Sequence, residues 1–414
     1  MGSIGIDFGT TNSAVAIREG GGVRLARFDT AETFRSVLFF PADRTPVCAG
    51  PQAISAYLAQ HADGESGGRL VQSVKSLLGS RSFTATNIAG RRYTAEDLVT
   101  ILLRAVRSQA QLSSAEMPVV AGRPVQFVGA GNAEDERMAV TRLRAAFKAA
   151  GFGEVQLAYE PVGAAYFYES RLLRNELILI ADFGGGTSDF SLMPVGPRLR
   201  AARGERIVLG TEGIPLAGDA FDATIVRHVV SPLLGEGSEY RSLRKLLPVP
   251  GSIFRKLERW HHLSFLRSPE TMRMLRAIEA EALEPEKISM LIALVENDLG
   301  LELHRAVQRT KFELSRTSQS LFRFHHSAVD IEKTVTRAEF EGWIEPELDR
   351  IRGAVDRLMA RAAKTPEEVD RVFLTGGTSL VPAVRQLFEH LFGAEKISGG
   401  DEFTSVAKGL AYVG

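Results

Sequence analysis

Apolar and polar positions along the chain fall into two periods, and the first signal is one pattern that occurs twice. Residues 3–17 carry an apolar run into Asp7-Phe8-Gly9, a short polar turn, and a second apolar stretch. Residues 177–192 repeat this plan, with Asp182-Phe183-Gly184, then Gly185-Gly186-Thr187, then another apolar stretch. Short apolar runs around a Gly/Thr turn predict β-hairpins. The copies open the two halves of the chain, so the repeat predicts two similar lobes facing each other.

The helical period fills the intervals. Thr94 and Asp97 form a cap ahead of Leu98, Ile101, Leu102, Ala105 and Val106. Val119 to Val128 reads as a strand interrupted by turn residues, and a helix from about Ala133 carries Val140, Leu143 and Phe147 to a stop at Gly151. Val155 to Ala158 is a short strand, and Pro161 suits the first turn of a helix. Residues 231–309 are charged, and their apolar spacing predicts a mostly helical subdomain, interrupted at Pro248-Val249-Pro250-Gly251. Leu321 to Phe324 and Val329 to Ile331 read as strands, and Thr336 with Glu339 opens a helix. A buried strand over 372–375 then feeds Gly376-Gly377-Thr378, with a helix after Pro382. Alternation of this kind predicts α/β layers.

Composition narrows the class. The chain has 414 residues, 44% of them apolar, with 50 Lys+Arg against 50 Asp+Glu. It is long enough for two or three domains with sizeable cores, which excludes disorder as the main state. Zero net charge removes the bulk electrostatic argument for a nucleic-acid or anionic-membrane partner. The single cysteine, Cys48, forms no internal disulfide and fits a reducing compartment. The start of the chain lacks the basic, apolar pattern of a signal peptide, and Ile6 stands where a myristoylation pattern wants Ser or Thr. The expectation is a soluble, cytoplasmic protein with neither nucleic-acid nor membrane partners.

Three Gly/Thr turns follow apolar strands: Gly9-Thr10-Thr11-Asn12, Gly184-Gly185-Gly186-Thr187 and Gly376-Gly377-Thr378. Glycines let several backbone N–H groups converge and threonines add hydroxyl donors, which points to a polyphosphate. Asp7 and Asp182 stand at matching ends of the two hairpins. An Asp beside a turn ordinarily caps it. A matched pair aimed at phosphates needs a hard cation between, so Mg2+ held through water is implied. Asp189 is set apart, on the far side of its turn. Glu160, just before Pro161, either complements its helix dipole or orients water at a γ-phosphate. Other nucleotide sites are excluded: the chain has no Gly-Lys dipeptide for a P-loop, and no kinase catalytic loop accompanies Asp-Phe-Gly. Glu134 stands where a dinucleotide fingerprint after Gly129-Ala130-Gly131 needs glycine. The pairs His261-His262 and His325-His326 are adjacent rather than one helical turn apart, which argues against zinc.

The motif Ile4-Gly5-Ile6-Asp7-Phe8-Gly9-Thr10-Thr11-Asn12-Ser13 resembles the first phosphate motif of the seventy-kilodalton heat-shock chaperones (DnaK type). Asp182-Phe183-Gly184-Gly185-Gly186-Thr187-Ser188-Asp189 resembles their second phosphate motif, and Glu160-Pro161-Val162-Gly163-Ala164-Ala165 their connecting segment. Ala217-Gly218-Asp219-Ala220-Phe221-Asp222 is similar to a Gly-Gly-Glu-Asp-Phe-Asp segment, and Gly376-Gly377-Thr378-Ser379-Leu380-Val381-Pro382 to the adenosine motif. The resemblance implies an actin-like ATPase fold, two similar lobes around a nucleotide cleft holding ATP or ADP with Mg2+. Lobe I would be 1–173 plus 399–414 and lobe II 174–398, with a helical insertion at about 235–310. By position, Asp7, Glu160 and Asp182 would surround the hydrated metal and attacking water. Thr10 and Thr187 would contact the γ-phosphate, Gly218 and Asp219 would line the site, and Lys311 and Ser315 would lie beside the adenosine.

Three departures shape the functional expectation. The position of the family's catalytic lysine matches Ile54, with Lys75 assigned to a structural segment, so slow hydrolysis is expected. Leu380 and Phe312 replace two arginines near the base. The length resembles short, YegD-type members with the nucleotide domain alone, and the insertion, with Trp260 and Arg-rich flanks, is longer than the family pattern. The reading is therefore a chaperone-related, ATP-dependent switch with slow hydrolysis and a protein client or co-chaperone as partner. A small-molecule kinase and a filament-forming relative remain as alternatives on the same fold.

Overall fold

Each copy of the repeated hairpin seeds one large sheet. The computed structural model describes residues 2–43, 46–62, 68–112, 117–201, 207–243, 245–258, 266–326, 328–399 and 404–413, so Trp260, His261 and His262 lie outside the described residues. In the first sheet Ser3–Phe8 pairs antiparallel with Asn12–Glu19, which pairs with Gly22–Leu25. On its other side Ser3–Phe8 runs parallel to Val119–Arg123, and that strand parallel to Val155–Tyr159. The second sheet repeats the order. Glu176–Phe183 pairs antiparallel with Ser188–Val195, and that strand with Gly210–Ile214; Arg371–Thr375 and Ile397–Gly399 follow in parallel on the other side. The duplication legible in the sequence is thus a duplication of topology. It is imperfect at one place that matters: Asp7 faces Ala14 across its hairpin, whereas Asp182 faces Asp189.

The chain divides into two compact units, Met1–Gly218 with Asp349–Gly414, and Asp219–Leu348. Both large sheets belong to the first. Its helices form where the caps require them. Thr94 and Asp97 make a reciprocal capping box at the head of Ala95–Gln109, and the Asn132 side chain accepts from the Glu134 and Asp135 N–H groups to start Ala133–Ala149. Leu98, Leu102 and Val106 of one helix and Leu143 and Phe147 of the other are buried in one core with Ile4, Ile6 and Phe8. That burial is the main stabilising term for both helices. The strand expected over 119–128 ends at Arg123, and a turn follows.

Helix Glu160–Glu169 meets helix Ser405–Val413 backbone to backbone. A Cβ on Gly409 would stand 1.6 Å from the Gly163 carbonyl oxygen, so no side chain fits there.

The second unit holds the segment expected to be mostly helical, and it carries more than helices. Helices Gly251–Leu257, Pro269–Glu281, Pro285–Glu296 and Gly300–Leu314 are present, but Glu239–Ser242 and Lys245–Pro248 form an antiparallel ribbon. All four residues of its second strand are exposed, so no face is buried and no period-two signal is written in the sequence. The strands expected at 321–324 and 329–331 extend to Gln319–His326 and Val329–Thr336, which pair antiparallel with alternating burial, and Thr336 and Glu339 cap Arg337–Trp343. Among the described residues no helix is long and apolar enough to cross a membrane.

Gly409→Ala is expected to lower stability by about 2–3 kcal/mol, because neither backbone can yield to the new methyl group. Gly342→Ala, in a helix where an added Cβ meets nothing within 4 Å, should instead stabilise by up to about 1 kcal/mol. Urea unfolding of both variants measures the contrast.

Candidate functional site

The tips of the two hairpins come together. A Cβ on Gly186 would lie 3.9 Å from Thr10 Oγ1 and 3.5 Å from Val128 Cγ2, so the second Gly-rich turn rests beside the first. Within the turns the backbone folds on itself: the Gly184 N–H donates to the Thr187 carbonyl at 2.9 Å, and a Cβ on Gly9 would stand 2.0 Å from the Asn12 carbonyl oxygen. The third turn joins them. Gly376 has φ +82°, and a Cβ there would lie 1.9 Å from the Phe183 carbonyl oxygen, so only glycine permits the approach. Thr378 Oγ1 and the Gly218 N–H each reach the Gly184 carbonyl at 3.5 Å.

Four carboxylates gather at the strand ends that feed these turns, Glu160 and Asp189 buried and Asp7 and Asp182 half-buried. Lys75 Nζ donates to Glu160 Oε1 at 2.5 Å, with the two side chains only 6% and 8% exposed. Glu160 starts its helix after Tyr159, and its stem fills the space that Gly122 leaves, since a Cβ there would stand 2.9 Å from Glu160 Cγ. Asp189 Oδ1 accepts from the Val125 N–H at 2.7 Å, and the Thr187 hydroxyl also hydrogen-bonds Asp189.

One ammonium serves four carboxylates, and the acid groups show it. Burial and the nearby Glu160 charge push Asp7 up to about 7, against the opposing pull of Lys75. Burial and Glu160 also push Asp189 up to about 7, even with its hydrogen bonds to Thr187 and Val125. Asp182 is held well above the usual carboxylate range by burial, then by Glu160, Asp7 and Asp189. Burial pulls Lys75 down, but Glu160, Asp7 and Asp189 outweigh it and hold the ammonium charged.

This donor set fits Mg2+. The excess negative charge is desolvated, the donors are hard oxygens, and Gly/Thr turns beside it can bind an anion. Among the described residues no three His, Cys, Asp or Glu side chains converge closely enough to ligate a metal directly. An ion carried on bridging water therefore suits Asp7 and Asp182 better than a dehydrated one.

The profile described as Hsp70 protein matches residues 65–238 and 287–414. The chain belongs to the Hsp70 family. The doubled sheet is the actin-like ATPase fold of that family's nucleotide-binding domain. Among curated relatives of this Hsp70-family chain, a chaperone protein DnaK of Thermus thermophilus is 27% identical over 434 residues, covering 99% of the chain and 60% of the relative. The chaperone protein dnaK1 of a Nostoc species is 26% identical over 428 residues, covering 99% of the chain and 53% of the relative. The chain thus spans between half and two thirds of the length of these relatives.

The structure corrects the sequence reading at Lys75. Ile54, expected to mark a lost lysine, sits half-buried on helix Pro51–Ala62, while Lys75 pairs with Glu160 at the centre of the acidic cluster. Asp7, Glu160 and Asp182 are brought together as expected, beside the turns carrying Thr10 and Thr187. Asp189 joins them, and hairpin register could have shown it, because a four-residue turn puts Asp189 directly opposite Asp182. Asn12 Oδ1 accepts from Arg35 at 3.4 Å, and the Thr11 carbonyl accepts from the Ser36 N–H. Asp219 lies in the first turn of helix Gly218–Ile225. Lys311 belongs to the second unit, 2.6 Å from Asp222 Oδ1, and Ser315 Oγ donates to the Lys311 carbonyl. Phe312, which stands for one of the two replaced arginines, carries the Arg316 guanidinium 4.2 Å above its ring.

Asp7 and Asp189 titrate at about 7 in the folded chain against an ordinary 3.8. Raised carboxylates leave stability intact below pH about 4 and remove it progressively up to about 7. Asp7→Asn in nucleotide-free, metal-free protein should therefore raise the melting temperature at pH 8 by at least about 2 °C and leave it nearly unchanged at pH 4. Thermal scans at both values measure the difference.

Proposed function

We propose that the chain binds ATP with Mg2+ and hydrolyses it, acting as a chaperone-related nucleotide switch. The observation that carries this reading is the buried Lys75–Glu160 pair among Asp7, Asp182 and Asp189. Backbone N–H groups of the turns and the hydroxyls of Thr10 and Thr187 would hold the terminal phosphates. Mg2+, when bound, neutralises phosphate charge and polarises the bond to be broken. Asp7 and Asp182 would hold the hydration shell of that ion. Glu160 accepts a hydrogen bond from the attacking water, and the Lys75 ammonium stabilises charge on the transferring group. With Lys75 in place, the reason for expecting slow hydrolysis falls away.

The relatives matched are named chaperones, which supports a protein client or co-chaperone as partner. The second unit, including the stretch at 239–286 that the family profile leaves unmatched, is the candidate partner surface. The single cysteine of the sequence fits a reducing, cytoplasmic setting.

Nucleotide binding and single-turnover hydrolysis on wild type and Lys75→Met test the reading. The variant should lose at least about 100-fold in hydrolysis rate while keeping ATP affinity within about fivefold. Chelating Mg2+ should abolish hydrolysis in the wild type. Wild type that binds no ATP, or Lys75→Met hydrolysing at the wild-type rate, would overturn it. Lys75→Met also strands a buried charge on Glu160, so stability should fall by about 3–5 kcal/mol and recover in part on adding Glu160→Gln.

A further inference from the structure

The turn that follows the Val119–Arg123 strand touches both sides of the acidic cluster, and one side chain organises it. Arg123 pairs in register with Tyr159, the residue before Glu160. Its side chain is 18% exposed, and the guanidinium lies 4.6 Å from the Tyr159 ring centre and 5.6 Å from that of Phe127. Nε donates to the Pro124 carbonyl at 3.1 Å, and Nη2 donates to the Val125 carbonyl at 3.3 Å. Glu136 sits 3.5 Å from Nη2, and its other oxygen accepts from the Phe127 N–H at 2.8 Å.

The peptide between Pro124 and Val125 is therefore held at both ends. Its carbonyl accepts from Arg123, and its N–H donates to Asp189 Oδ1 at 2.7 Å. A cation on the oxygen of an amide strengthens the same amide as a donor, because hydrogen bonds in a chain polarise one another. Pro124 has no N–H of its own and fixes its φ, so Val125 supplies the first donor after the strand. On the other flank, Gly122 leaves the space that the Glu160 stem occupies. Four consecutive residues thus set the positions of Glu160 and Asp189, which come from opposite halves of the duplicated fold.

We propose that Arg123 is a positioning residue, which holds the Pro124–Val125 peptide so that the Val125 N–H fixes Asp189 while the stacked Tyr159 fixes Glu160. The inference deepens the hydrolytic reading above and rests on it for its kinetic consequence. Its geometric part stands independently of turnover.

Two measurements test it. Amide hydrogen exchange at Val125 in the nucleotide-free chain should quicken about tenfold or more in Arg123→Met, with the melting temperature changed little. Unchanged exchange at Val125 would overturn the proposal whether or not the chain hydrolyses ATP. In single-turnover hydrolysis, Arg123→Met should lose about tenfold in rate with ATP affinity held within about twofold. Arg123→Lys should recover only part of it, because an ammonium lacks the fork that spans two carbonyls. Combined with Asp189→Asn, Arg123→Met should add little further loss, and full additivity would place its action elsewhere. Wild type without hydrolysis would defeat the functional reading, while the exchange result would still decide the role of Arg123.

Discussion

A charge imbalance buried at the meeting point of two hairpins governs the first unit. One ammonium, on Lys75, faces Asp7, Glu160, Asp182 and Asp189. Nothing in elementary folding energetics favours such a cluster. Desolvation penalises each ionised carboxylate, and among the described residues only Glu160 of the four has a direct cationic partner. Such an arrangement suits the metal and phosphate binding proposed above better than it suits stability. The surrounding structure supplies the stability that the site withholds, through the two sheets and the apolar helices packed on them.

Duplication explains how the cluster is assembled, and its imperfection explains the site's polarity. The two sheets share one strand order, so each delivers an Asp-Phe-Gly corner to the same region. Only the second copy adds a carboxylate across its hairpin, because Asp189 stands where the first copy has Ala14. The first copy contributes Lys75 and Glu160 instead, from segments 85 residues apart.

Much of this was legible in the residues. Both hairpins, the capped helices at Thr94 and Thr336 and the three glycine turns followed from local rules, because there local preference and tertiary structure agree. Lys75 was misassigned for a physical reason. It sits in a one-turn helix, Val74–Leu77, after Ser73 at φ +55°, and no periodicity or spacing announces that such a turn points inward. Its partner is distant in sequence, and only the fold brings them together. Arg123 escaped notice because its role lies in carbonyls and an amide, which carry no residue letter. The exposed ribbon at 239–248 lacked a buried face, and without one a strand leaves no alternation to read.

The glycine contact between helices Glu160–Glu169 and Ser405–Val413 has a mechanical consequence. Most helix pairs are locked by interdigitated side chains, and turning one on the other means repacking a ridge in a groove. Here the closest approach is Gly409 against the carbonyl of Gly163, with no side chain from either residue in between. Around that point the Leu410 side chain lies over Gly163, and Val406 and Leu410 share one buried cluster with Ala164, Ala165 and Phe167, so the two helices are locked together at close range. Glu160 sits at the head of one of these helices, one turn from the joint. Whatever displaces helix Ser405–Val413 therefore carries the Glu160 helix with it, and a coupling this tight turns backbone displacement into charge displacement beside Lys75.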